Sequence, residues 1–432
     1  MPDPLPNPAD PSSYPPCVEH GVWTPVPQAS PPDAHHLKLK DVDQDESHRI
    51  RQTGVLSFHT VGCSGDFGNH LPGLAVAKAM AAQISDPHVG GGRTNAAPAS
   101  FLFHLGDIVY KDEDPKDLDA KDQSQMYNSQ FYSQYTSYQR QIFAIAGNHD
   151  AKSSAHRKKS AIDHFLQNFC AGSRKKSDDN QTDGRPAMIQ PYPYWSLETA
   201  VAWIIGLATN DINGGQLDDP METMNPQYQW LVSTLKSIKQ TADNKVVFLA
   251  LHYPPYSGAQ NFAERGNPNL GPTPRRPAPA GILQPLGNIL RQAFHESGQY
   301  PDVVLSAHAH HYQRITYTQD GGWQIPFLIA GSGGHGPIEK LSKTCSDETV
   351  AVPDLPFDAV QPPAIAVPKG DSVKVVAYND NDFGFLRITV DANAKIVFGE
   401  FFSAYNESDP KAAMPKLSDS FVLHLEKHKI DF

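Results

Sequence analysis

The sequence predicts an α/β fold, a four-layer α/β/β/α sandwich of two mixed β-sheets flanked by helices. Three observations carry this expectation. The first half alternates short apolar, β-prone runs with stretches of helical spacing, the pattern of βαβ units. A hairpin pattern about Glu198-Thr199-Ala200 starts a sheet of its own in the middle of the chain. The last third reads almost wholly as strands. With 432 residues, 39% of them apolar, the chain can bury a core large enough for one elaborated domain.

Composition narrows the function classes. A formal net charge of -11 gives no basic surface in bulk, so no stable nucleic-acid partner is expected. Four scattered cysteines (Cys17, Cys63, Cys170, Cys345), with no CxxC pair, form neither a disulfide framework nor a structural zinc motif. No basic start leads into an apolar stretch, and eighteen uncharged apolar residues never run together. The expectation is no membrane association, and a protein that is cytoplasmic or exported without a recognisable signal peptide. The chain divides into a Pro-rich N-terminal arm (1–50), a catalytic domain (51–405) with loop insertions at about 267–285 and 339–370, and a C-terminal extension (406–432).

Order begins at residues 55–62, a β-prone run leading into Cys63-Ser64-Gly65-Asp66-Phe67-Gly68. Residues 74–84 are Ala-rich with helical spacing. The glycines at 90–92 then loop back to residues 101–110, FLFHLGDIVY, a buried strand that ends in Gly106 and the acid Asp107. Tyr127, Phe131, Tyr135 and Tyr138 give one aromatic helix face for core packing. Residues 141–146 form a strand that runs into Gly147-Asn148-His149-Asp150. Ile162, Phe165, Leu166 and Phe169 mark a helix, and residues 173–185 a solvated loop.

After the hairpin of 194–197 and 201–207, Trp230, Leu231, Leu235 and Ile238 mark another helix. The strand 245–251 ends at His252. The Pro/Gly-rich excursion that follows carries Arg275 and Arg276, read as solvated loop arginines. A helix over 283–294 precedes a short strand at 303–306, which feeds Ala307-His308-Ala309-His310-His311. Strands at 315–318, 325–330, 373–378, 385–390 and 396–402 complete the chain.

Five strand ends therefore present Asp66, Asp107 with Tyr110, Asn148 with His149, His252, and His308 with His310. Carboxylate, phenolate, amide oxygen and imidazole are together a ligand set for two adjacent first-row metal ions sharing one carboxylate. Read alone, each motif is a weak signal; the weight lies in their joint appearance at the ends of apolar runs. His308 and His310 read as alternating residues on a strand, projecting from one face, with His311 turned away.

This series resembles the calcineurin-like metallophosphoesterases and, within them, the purple acid phosphatase group. The resembling blocks are Gly65-Asp66-Phe67-Gly68, Gly106-Asp107-Ile108-Val109-Tyr110, Gly147-Asn148-His149-Asp150, the strand ending in His252, and Ala307-His308-Ala309-His310. The resemblance spans residues 55–402. It implies Asp66, Tyr110 and His310 on a first metal, Asn148, His252 and His308 on a second, and Asp107 bridging both. It further implies that His149 is a non-ligand that binds phosphate or protonates the leaving group, with Asn148 also meeting the substrate. Most of the superfamily carries a His two residues after the first Asp, where this chain has Gly68, and Tyr110 fills the deficit. A phenolate is a hard anionic donor, so iron(III) at the Tyr110 site with a divalent ion (Fe, Zn or Mn) beside it is the expected pair. Two departures from the pattern are Ala307, where a glycine is usual, and Leu249, where a branched residue is usual.

The implied activity is hydrolysis of a small-molecule phosphomonoester, an acid phosphatase reaction, by in-line attack of a metal-bound hydroxide. The runner-up is a phosphodiesterase or nucleotidase on the same site. A third reading is a catalytically silent metal-binding interaction module, which should have lost ligands. Nearby, Cys63 reads as a small buried apolar residue, His335 as a turn residue, and His104 as a packed, hydrogen-bonded imidazole.

Overall fold

A computed structural model of the protein describes residues 35–66, 68–93, 96–110, 124–150, 162–182, 184–209, 226–241, 243–259, 286–341, 371–411 and 414–431. The excursion with Arg275 and Arg276, most of the 339–370 insertion and residues 1–34 lie outside the described residues.

Two mixed sheets face each other. One has seven strands in the order β15-β14-β13-β12-β2-β3-β4: β15 (Lys429–Asp431), β14 (Lys416–His424), β13 (Ile396–Tyr405), β12 (Phe383–Asp391), β2 (Val55–Val61), β3 (Phe101–His104) and β4 (Gln141–Ala144). The other has eight, ordered β1-β5-β6-β7-β8-β10-β9-β11: β1 (His36–Lys38), β5 (Trp195–Glu198), β6 (Ala202–Gly206), β7 (Val246–Ala250), β8 (Val303–Ser306), β10 (Gln324–Ala330), β9 (Tyr312–Thr318) and β11 (Ser372–Asn379). The parallel run β6–β7–β8 lies at the centre of the eight-stranded sheet, and the parallel run β2–β3–β4 forms one side of the seven-stranded sheet, with β4 at its edge. Ligands in open α/β sheets gather beyond the carboxyl ends of such strands.

The central strands read as continuous apolar runs because both of their faces are covered. Along β7, Val246, Phe248 and Ala250 enter the core between the sheets, while Val247 and Leu249 join a second cluster under the helices Pro226–Thr241 and Leu286–Ser297. Between the sheets Phe58 stacks on Phe101 at 5.3 Å and meets Phe248 edge-on at 5.3 Å. Trp195 closes the same layer against Phe103 and Phe143. The helix Leu71–Ser85 covers β12 and β13 from outside, above a buried Arg387–Glu400 pair at 2.9 Å. The four expected layers are present.

Three local readings differ. The aromatic run starts as a π-helical turn, Tyr127–Tyr132, in which the Ser133 N–H bonds the Asn128 carbonyl five residues back. Its four aromatics are nonetheless buried, as the spacing required. Residues set aside as arm and extension also contribute elements: β1 with the helices Leu39–Val42 and Gln44–Thr53 at one end, and β14 with β15 at the other. These strands lie at or next to the sheet edges and are only partly buried, so their sequences lack the long apolar run that marks a central strand. Asp419 on β14 accepts two bonds from Arg314 and one from Tyr312 on β9, tying one sheet to the other.

Phe248→Ala removes the ring that meets Phe58 in the layer between the sheets, and should lower unfolding free energy by about 3–5 kcal/mol. Urea unfolding followed by fluorescence measures this as a lower midpoint.

Candidate metal centre

The tip of β3 is built for close approach. Gly106 has φ +90°, and a Cβ there would lie 2.8 Å from Gly147 Cα and 2.9 Å from His252 Nδ1. The turn delivers Asp107, itself at φ 54°, to a buried position. Asp107 Oδ1 accepts the His149 backbone N–H at 2.8 Å, and Oδ2 accepts the Tyr110 hydroxyl at 3.0 Å. Burial opposes its charge, yet the imidazoles of His252, His149 and His308 hold the carboxyl well below its ordinary range.

Asp150 fixes the two loops that meet here. Its Oδ1 accepts from Ile108 N–H at 2.9 Å and Val109 N–H at 3.2 Å, and its Oδ2 from Gly147 N–H at 2.9 Å. Burial and the Asp107 charge push its carboxyl up to about 7, while the Gly147 bond pulls the other way.

His252, at the tip of β7, reaches across from the opposite sheet. Its Nδ1 lies 2.7 Å from the Leu105 carbonyl, which can only accept, so the ring hydrogen sits there. Nε2 then faces Asp107 Oδ2 at 3.2 Å, Asn148 Oδ1 at 3.1 Å and His308 Nδ1 at 3.2 Å. Two of these neighbours are oxygens that only accept. A neutral His252 would set a lone pair against both, so a positive charge is required among them, either a proton on Nε2 or a metal ion. Burial lowers this imidazole's basicity, and the Asp107 carboxylate more than reverses it, leaving the pKa raised. Imidazole, carboxylate and amide oxygen converging on one point suit a first-row metal. Asn148, His252, His308 and Asp107 therefore fit the second metal of the expected pair.

The first metal's set is only partly gathered. Tyr110 Oη lies 3.2 Å from His310 Nε2 and bonds Asp107, so these three meet as expected. Burial and the Asp107 charge hold the phenol well above its ordinary pKa, so its proton leaves only against a strong positive charge. Burial and His335 lower His310 to about 3, which leaves a neutral donor. Asp66 stands apart. Its Oδ1 accepts from Gly68 N–H at 2.8 Å and Asn69 N–H at 3.1 Å, and its Oδ2 is 3.4 Å from Gly336 N and 3.8 Å from His335 Nδ1. The carboxylate is used in its own turn rather than beside Asp107.

Cys63 stands nearer. Its sulfur and ligand atoms of Asp107 and His252 all lie within 4.8 Å of one another, and all three residues are buried. Sequence reasoning treated this residue as packing. A signal was present all the same, since Gly62-Cys63 after β2 repeats Gly106-Asp107 after β3.

Two other side chains behave differently from expectation. His308 and His310 do not alternate along a strand: β8 ends at Ser306, and both histidines lie in the bend beyond it. His308 has φ 63°, which turns its ring to His252 while His310 faces Tyr110. The left-handed residue is thus His308 and not Ala307. His335, read as a turn residue, stacks on the Tyr110 ring at 3.4 Å and 4°, and so belongs to the cleft. His149 sits half-buried at the rim, its ring centre 4.3 Å from that of Tyr110. His104 is packed as expected, between Ser64 Oγ at 2.7 Å and the Gly106 N–H at 3.2 Å, and His311 is buried against the Glu339 carbonyl.

Residues 81–312 match the calcineurin-like phosphoesterase family, more than half of the chain, and the protein belongs to that family. Membership implies metal-dependent phosphoester hydrolysis at a dinuclear metal centre. The matched segment holds every expected ligand except Asp66. No curated protein matches the chain. Among solved structures, it is similar to GAP50, the anchor in the inner membrane complex of Plasmodium, at 13% identity over 84% of this chain and 90% of that one, with a TM-score of 0.47. Among the described residues, no helix is long and apolar enough to cross a membrane.

Asp150→Ala would orphan three buried N–H groups, at a cost of about 1–3 kcal/mol for each left unsatisfied. The expected result is a lower unfolding midpoint together with weaker metal retention; calorimetry and elemental analysis read the two.

Proposed function

We propose that the protein is a dinuclear-metal phosphatase cleaving small phosphomonoesters, laid out at Tyr110 as in the purple acid phosphatase group. One observation carries the reading: Asp107, Asn148 and His308 converge within 3.2 Å on the His252 Nε2, whose own hydrogen is committed to Leu105 on the other side. When bound, two metal ions supply the positive charge that polarises a phosphoryl group and activates water.

The chain's own residues do the rest. Asn148, whose Oδ1 lies 3.1 Å from His252 Nε2, would also meet the substrate's phosphoryl oxygens. His149 is anchored by its backbone on Asp107, so its ring stays at the rim without being drawn into the ligand set, and it holds a proton for the departing alkoxide. Tyr110 is held by Asp107 and His310 on either side of its hydroxyl, with His335 against its face. The iron(III)–divalent pairing depends on two anionic oxygens, Asp66 and Tyr110, at one metal. Only Tyr110 has its oxygen beside Asp107.

A second reading, metal binding without turnover, draws on the same fact, because the Asp66 carboxylate is spent on Gly68 and Asn69. The two readings separate by assay. His149→Ala should keep both metals and lose about 10²–10⁴-fold in kcat on an aryl monophosphate, whereas Asp107→Asn and His308→Ala should lose metal and turnover together. Faster cleavage of an aryl phosphodiester than of the monoester would overturn the substrate assignment, and no hydrolysis of either by metal-loaded protein would leave the non-catalytic reading.

A further inference from the structure

We propose that Cys63, in the position expected of Asp66, is a thiolate ligand of the dinuclear centre beside Tyr110, and that this site takes a borderline-soft divalent ion of the zinc class. The inference rests on the two-metal reading above and goes beyond it in naming the donor and the metal class.

The backbone gives the first argument. β2 and β3 are parallel neighbours, and past their ends the Cys63 N–H bonds the Gly106 carbonyl at 2.9 Å while the Ser64 N–H bonds the Asp107 carbonyl at 3.1 Å. Each strand ends in a glycine followed by a left-handed residue, Cys63 at φ 54° and Asp107 at φ 54°. Cys63 is therefore to β2 what Asp107 is to β3. His308 beyond β8, at φ 63°, is a third residue of this kind. Left-handed backbone is costly for side chains such as these and persists where the surroundings impose it, often at ligand clamps.

Side-chain geometry gives the second. The Cys63 sulfur shares a 4.8 Å cluster with Asp107 and His252, which come from different sheets. Tyr110 is among the groups that act on this thiol. The His335 N–H holds the Cys63 carbonyl at 3.0 Å, which anchors the turn at Cys63. On metal binding the thiol and the phenol each give a proton to solvent. Thiolate with imidazole and carboxylate favours zinc or cobalt(II) over the hard trivalent ion that an Asp66–Tyr110 pair would select.

The test loads metal-free full-length protein with cobalt(II), counting ions by elemental analysis and recording the near-ultraviolet thiolate-to-cobalt charge-transfer band. Wild type and Asp66→Asn should hold two ions and show the band. Cys63→Ala should hold one ion without the band, and Cys63→Asp should recover the second ion, still without it, which excludes simple misfolding. Two ions in wild type without the band, or two ions retained in Cys63→Ala, would overturn Cys63 ligation and leave the dinuclear reading standing. Fewer than two ions in wild type would overturn the dinuclear reading, and this inference with it.

Discussion

The bond between His252 Nδ1 and the Leu105 carbonyl is the constraint on which the site depends. It joins the tip of β7 in one sheet to the tip of β3 in the other. It also constrains the chemistry, because committing one ring nitrogen as donor leaves the other to meet Asp107 and Asn148 through a proton or a metal ion. The layer of Phe58, Phe101, Phe248 and Trp195 fixes the distance between the sheets, and the histidine uses that distance.

Around this bond the molecule concentrates what folded proteins normally avoid. A buried carboxylate stays charged, three non-glycine residues adopt left-handed backbone, and two oxygens converge on one imidazole nitrogen at hydrogen-bond distance. The surroundings over-determine each feature. Asp150 gathers three backbone N–H groups from two loops, and Gly106 and Gly147 let the loops approach more closely than side chains would allow. Stability spent at the tips is recovered in the two hydrophobic layers below, which is the usual division between scaffold and site.

The fold was legible in the sequence wherever a strand is buried on both faces, because such strands are continuous apolar runs. Strands β1, β14 and β15 carry no such run, as in Lys416 to His424, and leave only weak patterns. At the site, Asp107, Asn148 and His252 come together from the loops that follow β3, β4 and β7. The Gly65-Asp66 pair lies beyond the strand tip, since β2 stops at Val61 and Gly62-Cys63 follow it directly. Spacing along a chain cannot reveal such an offset; only the parallel pairing with β3 does. His335 and His308 were misread for a related reason, as their orientations arise in bends whose geometry is set by tertiary contacts.

The position of β2 also bears on how the molecule is assembled. Its parallel neighbour β3 follows soon in the chain, but its antiparallel neighbour β12 pairs Leu386 with Thr60 and Asp391 with Val55. During translation β2 therefore waits with one edge unpaired until more than three hundred further residues have been made. Such long-range pairing implies slow, late closure of the sheet and an aggregation-prone interval beforehand. A nascent chain of this protein would be a natural client for chaperones that shield strand edges.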